Sequence, residues 1–223
     1  MTGDAQAAAG TRRTIAVVSA GLSQPSSTRL LADRLRDATL AQLERRGIEV
    51  DVTVIELRDL AQDITNNLLT GFPGPALGAA IDAMTGADGL IAVTPIFTSS
   101  YSGLFKSFFD VVEPGALTDL PVAIAATGGS ARHSLALEYA VRPMFAYLHS
   151  VVVPTAVFAA SEDWGSGASG TGDAQVGALP QRIDREAGEF AALVAASERS
   201  SRLDDPFAIE TPFAQLLGGF EAR

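Results

Sequence analysis

Thr94-Pro95-Ile96-Phe97-Thr98-Ser99-Ser100-Tyr101-Ser102-Gly103-Leu104-Phe105-Lys106-Ser107-Phe108-Phe109-Asp110 joins two kinds of periodicity. The apolar run Leu90-Ile91-Ala92-Val93 leads into it and stops at Thr94-Pro95. Proline withholds a ladder donor, so a buried strand is expected to end there. From Gly103 onward, Leu104, Phe105, Phe108 and Phe109 recur at helical spacing. The residues between, Thr98, Ser99, Ser100, Tyr101 and Ser102, carry hydroxyls. A polar loop held between the carboxyl end of a buried strand and a helix is where open α/β sheets bind ligands.

Outward from this segment the chain repeats the same alternation. Thr14 to Ser19 has a continuous apolar middle, which fits a strand covered on both faces. Leu31, Leu35 and Ala38 then fall on one helical face. Val50-Asp51-Val52-Thr53-Val54 alternates strictly, as a half-exposed edge strand does. Asn66 to Pro75 reads as a turn-rich loop, Ala76 to Thr85 as a short helix and Gly89 to Thr94 as the third strand. Pro121 to Thr127 is a fourth strand and Val151 to Phe158 a fifth, in which Pro154 argues for an edge position. Ser134 to Val141 reads as a helix that Pro143 breaks or follows with a second one through Leu148. Pro180 fits the first turn of a last helix with Ile183, Ala187, Phe190 and Val194 on one face. The expected fold is α/β, a doubly wound five-stranded parallel sheet with helices on both faces. Placing strands two and five at the edges matches the flavodoxin-like order 2-1-3-4-5.

Three spans are expected: a disordered leader over 1–13, one domain over 14–199, and a tail over 200–223. The tail carries Pro206-Phe207, Pro212-Phe213 and Leu216-Leu217, and is expected to dock on its own domain or on a partner subunit. A chain of 223 residues suffices for one core that buries roughly 70% of the unfolded surface. Its formal net charge of -10, with Lys106 as the one lysine, argues against nucleic-acid binding. It contains no cysteine, which excludes disulfides, thiolate metal sites and cysteine nucleophiles. Only two histidines, His133 and His149, are present, so a histidine metal site is not expected. Nothing between Met1 and Thr11 is apolar enough for a signal peptide, and no run approaches ~18 apolar residues. A cytoplasmic protein with no membrane contact is expected.

Three loops follow strand ends. The first offers the hydroxyls of Ser19, Ser23, Ser26, Ser27 and Thr28 where a helix begins. Hydroxyls and free amides at a helix N-terminus suit a phosphate dianion, although Ser26 or Ser27 also serves as an ordinary N-cap. The second loop is the opening segment, whose Phe97 and Tyr101 have core packing as their alternative. The third, Thr127-Gly128-Gly129-Ser130, places two glycines where backbone can approach a flat ligand closely, with a simple tight turn as the alternative. Gly165 to Gly170 matches Gly-x-Gly-x-x-Gly, but neither follows a strand directly nor opens a helix, so it is read as a mobile loop. Trp164 beside it flanks the site as a lid or covers a surface.

Thr94-Pro95-x-Phe97 followed by Ser100-Tyr101-Ser102-Gly103-x-Phe105-Lys106-x-Phe108-Phe109-Asp110 resembles the flavin-contacting loop of the NADPH-dependent FMN reductase family. The resemblance runs from about Thr14 to about Ala195. It implies a flavodoxin-like fold with FMN as cofactor and NADPH or NADH as hydride donor. Carried over residue by residue, it places Ser26 and Thr28 on the phosphate, and Pro95, Ile96, Phe97, Thr98, Tyr101 and Ser102 on the flavin ring and ribityl chain. Where many members read Pro-Glu-Tyr this chain has Pro95-Ile96-Phe97, and Ala20-Gly21-Leu22-Ser23 stands where they often read Gly-Ser-x-Arg. A homodimer or homotetramer is implied, and a flavin-dependent monooxygenase as possible recipient of reduced flavin.

The expected activity is therefore NAD(P)H:FMN oxidoreduction, with no side-chain acid or base assigned, because the three loops contain neither carboxylate nor histidine. Two other readings share the cofactor: a flavodoxin-type electron carrier without a nicotinamide substrate, which the acidity favours, and an NAD(P)H quinone or azo-dye reductase. A serine hydrolase is disfavoured, since no Gly-x-Ser-x-Gly elbow occurs.

Overall fold

Ile15, Ala16, Val17 and Val18 are all buried, so the strand that holds them, β1 (Arg12–Ser19), must be covered on both faces. Ile15 and Val17 join one hydrophobic core, while Ala16 and Val18 join a second on the other side of the sheet. The computed structural model describes residues 12–165 and 178–199.

The same division of alternate residues holds in β3 (Gly89–Phe97) and β5 (Pro121–Gly128), two further central strands. β2 (Glu49–Glu56) lies at one edge, and its burial alternates as its sequence does. At the opposite edge two short strands, β6 (Val151–Val152) and β7 (Val157–Ala160), both pair with β5. The spatial order is β2-β1-β3-β5 and then the β6 and β7 pieces, all parallel. That is the expected 2-1-3-4-5, with the fifth strand divided. Pro154 lies in the division, and the polar groups released there are taken up by side chains. Arg142 donates to the Val153 and Pro154 carbonyls at 2.8 and 3.0 Å, and Glu189 accepts from the Thr155 amide and hydroxyl at 2.8 Å each.

One face is covered by α1 (Ser27–Glu44) and α7 (Leu179–Ala196), through Leu31, Leu35, Ile183, Phe190 and Val194. On the other lie α2 (Ala61–Thr70), α3 (Pro75–Thr85), α4 (Gly103–Asp110) and α5 (Arg142–Tyr147). Phe105 and Phe109 of α4 meet edge-on at 4.8 Å, and Phe109 meets Phe145 at 4.9 Å. Gly89 lets α7 approach the sheet: a Cβ there would come within 2.6 Å of Val194 and 2.7 Å of Phe190.

Several boundaries depart from the expectation. β1 begins at Arg12 rather than Thr14, because Arg12 pairs with Glu49 in register and its guanidinium binds the Asp51 carboxylate. Asn66 to Thr70 belongs to α2, not to a loop, and the helix ends on Gly71 at φ 78°. The expected helix at Ser134 to Val141 is a 3-10 turn, Ala131–His133, followed by a π-helical turn, Leu137–Val141. Pro143 then occupies the first turn of α5. Residues 1–11, the Gly-rich stretch from Ser166 and the tail lie outside the described residues.

Candidate active site

The carboxyl ends of β1, β3, β5 and β7 converge with the N-terminus of α1 around a cavity of about 460 Å3. Ser23, Ser27 and Thr28 supply its polar end. Pro95, Ile96 and Phe97 form a largely apolar wall, and Thr127, Gly128 and Gly129 come from the end of β5. Leu22, Ser161 and Trp164 complete the lining, which holds no charged side chain.

The first loop is built to expose amides. Gly21 allows it to fold back on itself, since a Cβ there would lie 2.0 Å from Ser26 Oγ. Ser26 caps α1, its hydroxyl accepting from the Arg29 amide at 3.2 Å. The Ser27 and Thr28 amides precede that bond, and a helix leaves them without an intrahelical acceptor. No acidic residue stands in the first turn of this 18-residue helix, so its dipole favours an anion there. The Thr28 hydroxyl is already engaged: it pairs with the Thr127 hydroxyl at 2.8 Å in a buried contact that ties the first loop to the third.

The second loop contains a hairpin that the sequence reading had as irregular chain. Ile96 pairs with Tyr101 and Phe97 with Ser100 of β4 (Ser100–Tyr101), around a tip of Thr98 and Ser99 at φ 50° and 66°. Two successive positive φ values match the type I′ turn, and neither residue is the usual Gly or Asn, so the tip is strained. The hairpin presents Phe97, which is half exposed, to the cavity.

The remaining candidate residues are placed elsewhere. Tyr101 packs 6.2 Å from Phe105, as a core aromatic does. Ser102 is the buried N-cap of α4, its hydroxyl accepting from the Phe105 amide at 3.2 Å. Ser130 caps the 3-10 turn by accepting from the Arg132 amide, and Ser26 lies in an adjoining cavity that shares Ser23. Ser19 is fully buried below the first loop, its hydroxyl without a partner among the described residues. Thr98, at the hairpin tip, does not line the cavity.

Two contributors were missed or left open in the sequence. Arg58, in the turn after β2, reaches the first loop and donates to the Leu22 carbonyl at 3.4 Å. Its signal was its place just past the carboxyl end of the strand beside β1. Trp164 does line the cavity, on α6 (Glu162–Gly165). The Arg34 guanidinium stacks over its ring at 5.0 Å, and the neighbouring Asp163 binds Arg182 at 2.6 Å. No group of three or more metal-ligating side chains occurs among the described residues.

An uncharged, partly apolar slot with a helix N-terminus at one end fits an amphipathic ligand made of a flat ring and a terminal phosphate, which is the constitution of FMN. The comparisons agree. The family described as NADPH-dependent FMN reductase matches residues 13–165. An FMN reductase (NADPH) of Pseudomonas aeruginosa is 35% identical over 150 residues, 67% of this chain and 78% of that protein. An NADH-dependent FMN reductase, SfnF, of Pseudomonas fluorescens matches with the same identity and coverage. Among solved structures, an oxidoreductase from Corynebacterium diphtheriae is 46% identical, with a TM-score of 0.78, covering 83% of this chain and 98% of that one. The NADH:FMN oxidoreductase EmoB is 25% identical, with a TM-score of 0.66, covering 87% of this chain and 92% of that one. With both sequence and site in agreement, the chain belongs to the NADPH-dependent FMN reductase family.

Proposed function

We propose that this cavity holds FMN with its phosphate at the α1 N-terminus and its ring between the β3 hairpin and the Thr127 to Gly129 loop, and that the protein reduces it with NADPH or NADH. The observation that carries the reading is the make-up of one uncharged cavity, lined by the Ser23 and Ser27 hydroxyls and the start of α1 at Ser27 and Thr28 as well as by the apolar Ile96 and Phe97. Bound FMN supplies a ring able to accept hydride; the chain positions it and tunes its surroundings. Ser23 and Ser27 would donate hydroxyl hydrogen bonds to the phosphate, and Arg58, which also faces Asp59, steadies the first loop through the Leu22 carbonyl. Pro95, Ile96 and Phe97 exclude water from the ring. Gly129 has open space beyond its Cα, which lets backbone lie against the ligand. No side chain of the lining is an acid or base, so backbone dipoles of these loops would face negative charge on a bound ring.

Electrons leave to a second acceptor, and a flavin-dependent monooxygenase is the partner class proposed. A homo-oligomer is proposed too, because Leu69 and Phe72 at the end of α2 are about 80% exposed. No helix among the described residues is long and apolar enough to cross a membrane, and a cytoplasmic location is proposed.

Steady oxidation of NADPH or NADH with added FMN, followed at the reduced-nicotinamide absorbance, is expected to exceed ~1 per second. Flavin reduction no faster than in a protein-free control with either nicotinamide identifies an electron carrier instead. FMN is expected to quench the single tryptophan, Trp164, at far lower concentration than riboflavin, which lacks the phosphate.

A further inference from the structure

A second cavity, of about 350 Å3, lies against the same two segments that wall the flavin site, but is lined by other residues of them. Phe97 and Gly129 line the first cavity, while Ser99 and Arg132 line the second. Its remaining lining is His133 and the turn that carries Leu135, Ala136, Tyr139 and Ala140.

Three features set this cavity apart. The chain as a whole is strongly acidic, at -10, yet the lining holds one guanidinium, one imidazole and no carboxylate. Arg132 has no ion pair among the described residues, and the nearest carboxylate in sequence, Glu138, is already engaged by Arg142 at 2.7 and 3.0 Å. Arg142 holds the Glu138 carboxyl below its ordinary range, so Glu138 stays charged and committed to that partner. Second, Tyr139 is 79% exposed and Leu135 60%, an unusual display of apolar surface beside a cation. Third, Tyr139 sits in a π-helical turn, Leu137–Val141, and single π turns are frequent at functional sites.

We infer that this cavity binds the adenosine-phosphate half of the nicotinamide dinucleotide, with Arg132 and His133 on the phosphates and Tyr139 under the purine. The inference rests on the reductase reading above, and extends it to a site for the donor. A guanidinium with no ion pair among the described residues keeps its donors for a phosphate. An exposed phenol ring offers a face for a base to stack on. Phe97 and Ser99 belong to one hairpin and Gly129 and Arg132 to one short segment, so one dinucleotide can hold its phosphates at Arg132 while its nicotinamide reaches the ring beside Phe97. Ser130 fixes that segment by capping the Arg132 amide.

Calorimetric titration of ADP into the FMN-loaded protein tests the site without turnover, and steady-state kinetics run beside it. ADP is expected to bind the wild type and to inhibit competitively with the nicotinamide. Arg132→Glu is expected to weaken ADP binding and raise KM for the dinucleotide by at least about tenfold, the loss of one charge-assisted contact. FMN affinity, read by Trp164 quenching, stays the same. Tyr139→Ser, which keeps the charge, is expected to lower ADP affinity at least about fivefold, the low end for a base stacked on an aromatic ring. If the wild type turns over nicotinamide while ADP fails to bind, or binds both variants as it binds the wild type, this inference is wrong and the reductase reading stands. If the wild type shows no turnover, the reductase reading fails, and the dinucleotide assignment fails with it.

Discussion

Thr28 and Thr127 stand 99 positions apart, yet their hydroxyls meet at 2.8 Å inside the protein and clasp the first and third loops of the site together. Thr28→Val keeps the shape and strands the Thr127 hydroxyl, which is 5% exposed as a residue. Leaving one buried partner unsatisfied costs about 1–3 kcal/mol, whereas removing both at constant shape is close to neutral. Thr28→Val is therefore expected to lower unfolding stability by that amount, and Thr28→Val/Thr127→Val to lose less than the sum of the single changes. Urea unfolding of the four proteins in the cycle measures this; strict additivity shows that the two hydroxyls do not interact. Ser26→Ala removes the α1 cap, and is expected to cost about 0.5–2 kcal/mol. The resemblance put Ser26 and Thr28 on the phosphate, and the structure adds a distinction between them: Ser26 also caps the helix, while Thr28 lines the cavity beside Ser27 with its hydroxyl against that of Thr127. A residue list cannot show that distinction, because hydroxyls of one loop compete for partners that only the folded backbone supplies.

Helix α7 carries a buried acid that the site does not use. Glu186 is fully buried against the sheet. Burial pushes its pKa well above the ordinary 4.5, the Ile124 and Val157 backbone and the charge of Arg142 opposing the shift and nearby Glu189 adding to it. A raised carboxyl pKa means that the folded state holds the proton more tightly than the unfolded chain. The group's contribution is then complete below the unfolded value and fades as pH climbs through and above that range. Glu186→Gln is expected to be nearly neutral at pH 4 and to gain on the wild type progressively above pH 5. Denaturant midpoints of the two proteins across pH measure it, and a difference independent of pH would refute the assignment. Helix α2 teaches another lesson at this scale. Asn66, Asn67 and Thr70 are weak helix formers, so the sequence read as a loop. Burial of Ile64 against the core and the left-handed Gly71 at its end select the helix instead.

The whole molecule couples these parts, because its loops meet only when the sheet is formed. FMN bound to the folded state alone stabilises it by about 2.7 kcal/mol at a hundredfold excess over Kd. For a domain of this size that corresponds to a rise in Tm of roughly 5–10 °C. Differential scanning fluorimetry with FMN and with riboflavin at equal concentration checks it; equal shifts would remove the phosphate from the proposed binding. What the amino-acid order determined by itself was the alternation of strands and helices, the two edges and the three loops at strand ends. Those follow from local periodicity and from proline and glycine, which act within a few residues. Pro154 was legible as an edge signal, and the Thr94 to Asp110 segment as a ligand loop. The tertiary structure alone decided that Phe97 and Ser99 of one hairpin line two different cavities, that Arg58 reaches the first loop from the end of β2, and that the Thr28 hydroxyl meets that of Thr127. Such pairings join residues distant in sequence, and their physical cause is the parallel register of the sheet, which brings separate strand ends to one edge and leaves no trace in any single stretch of chain.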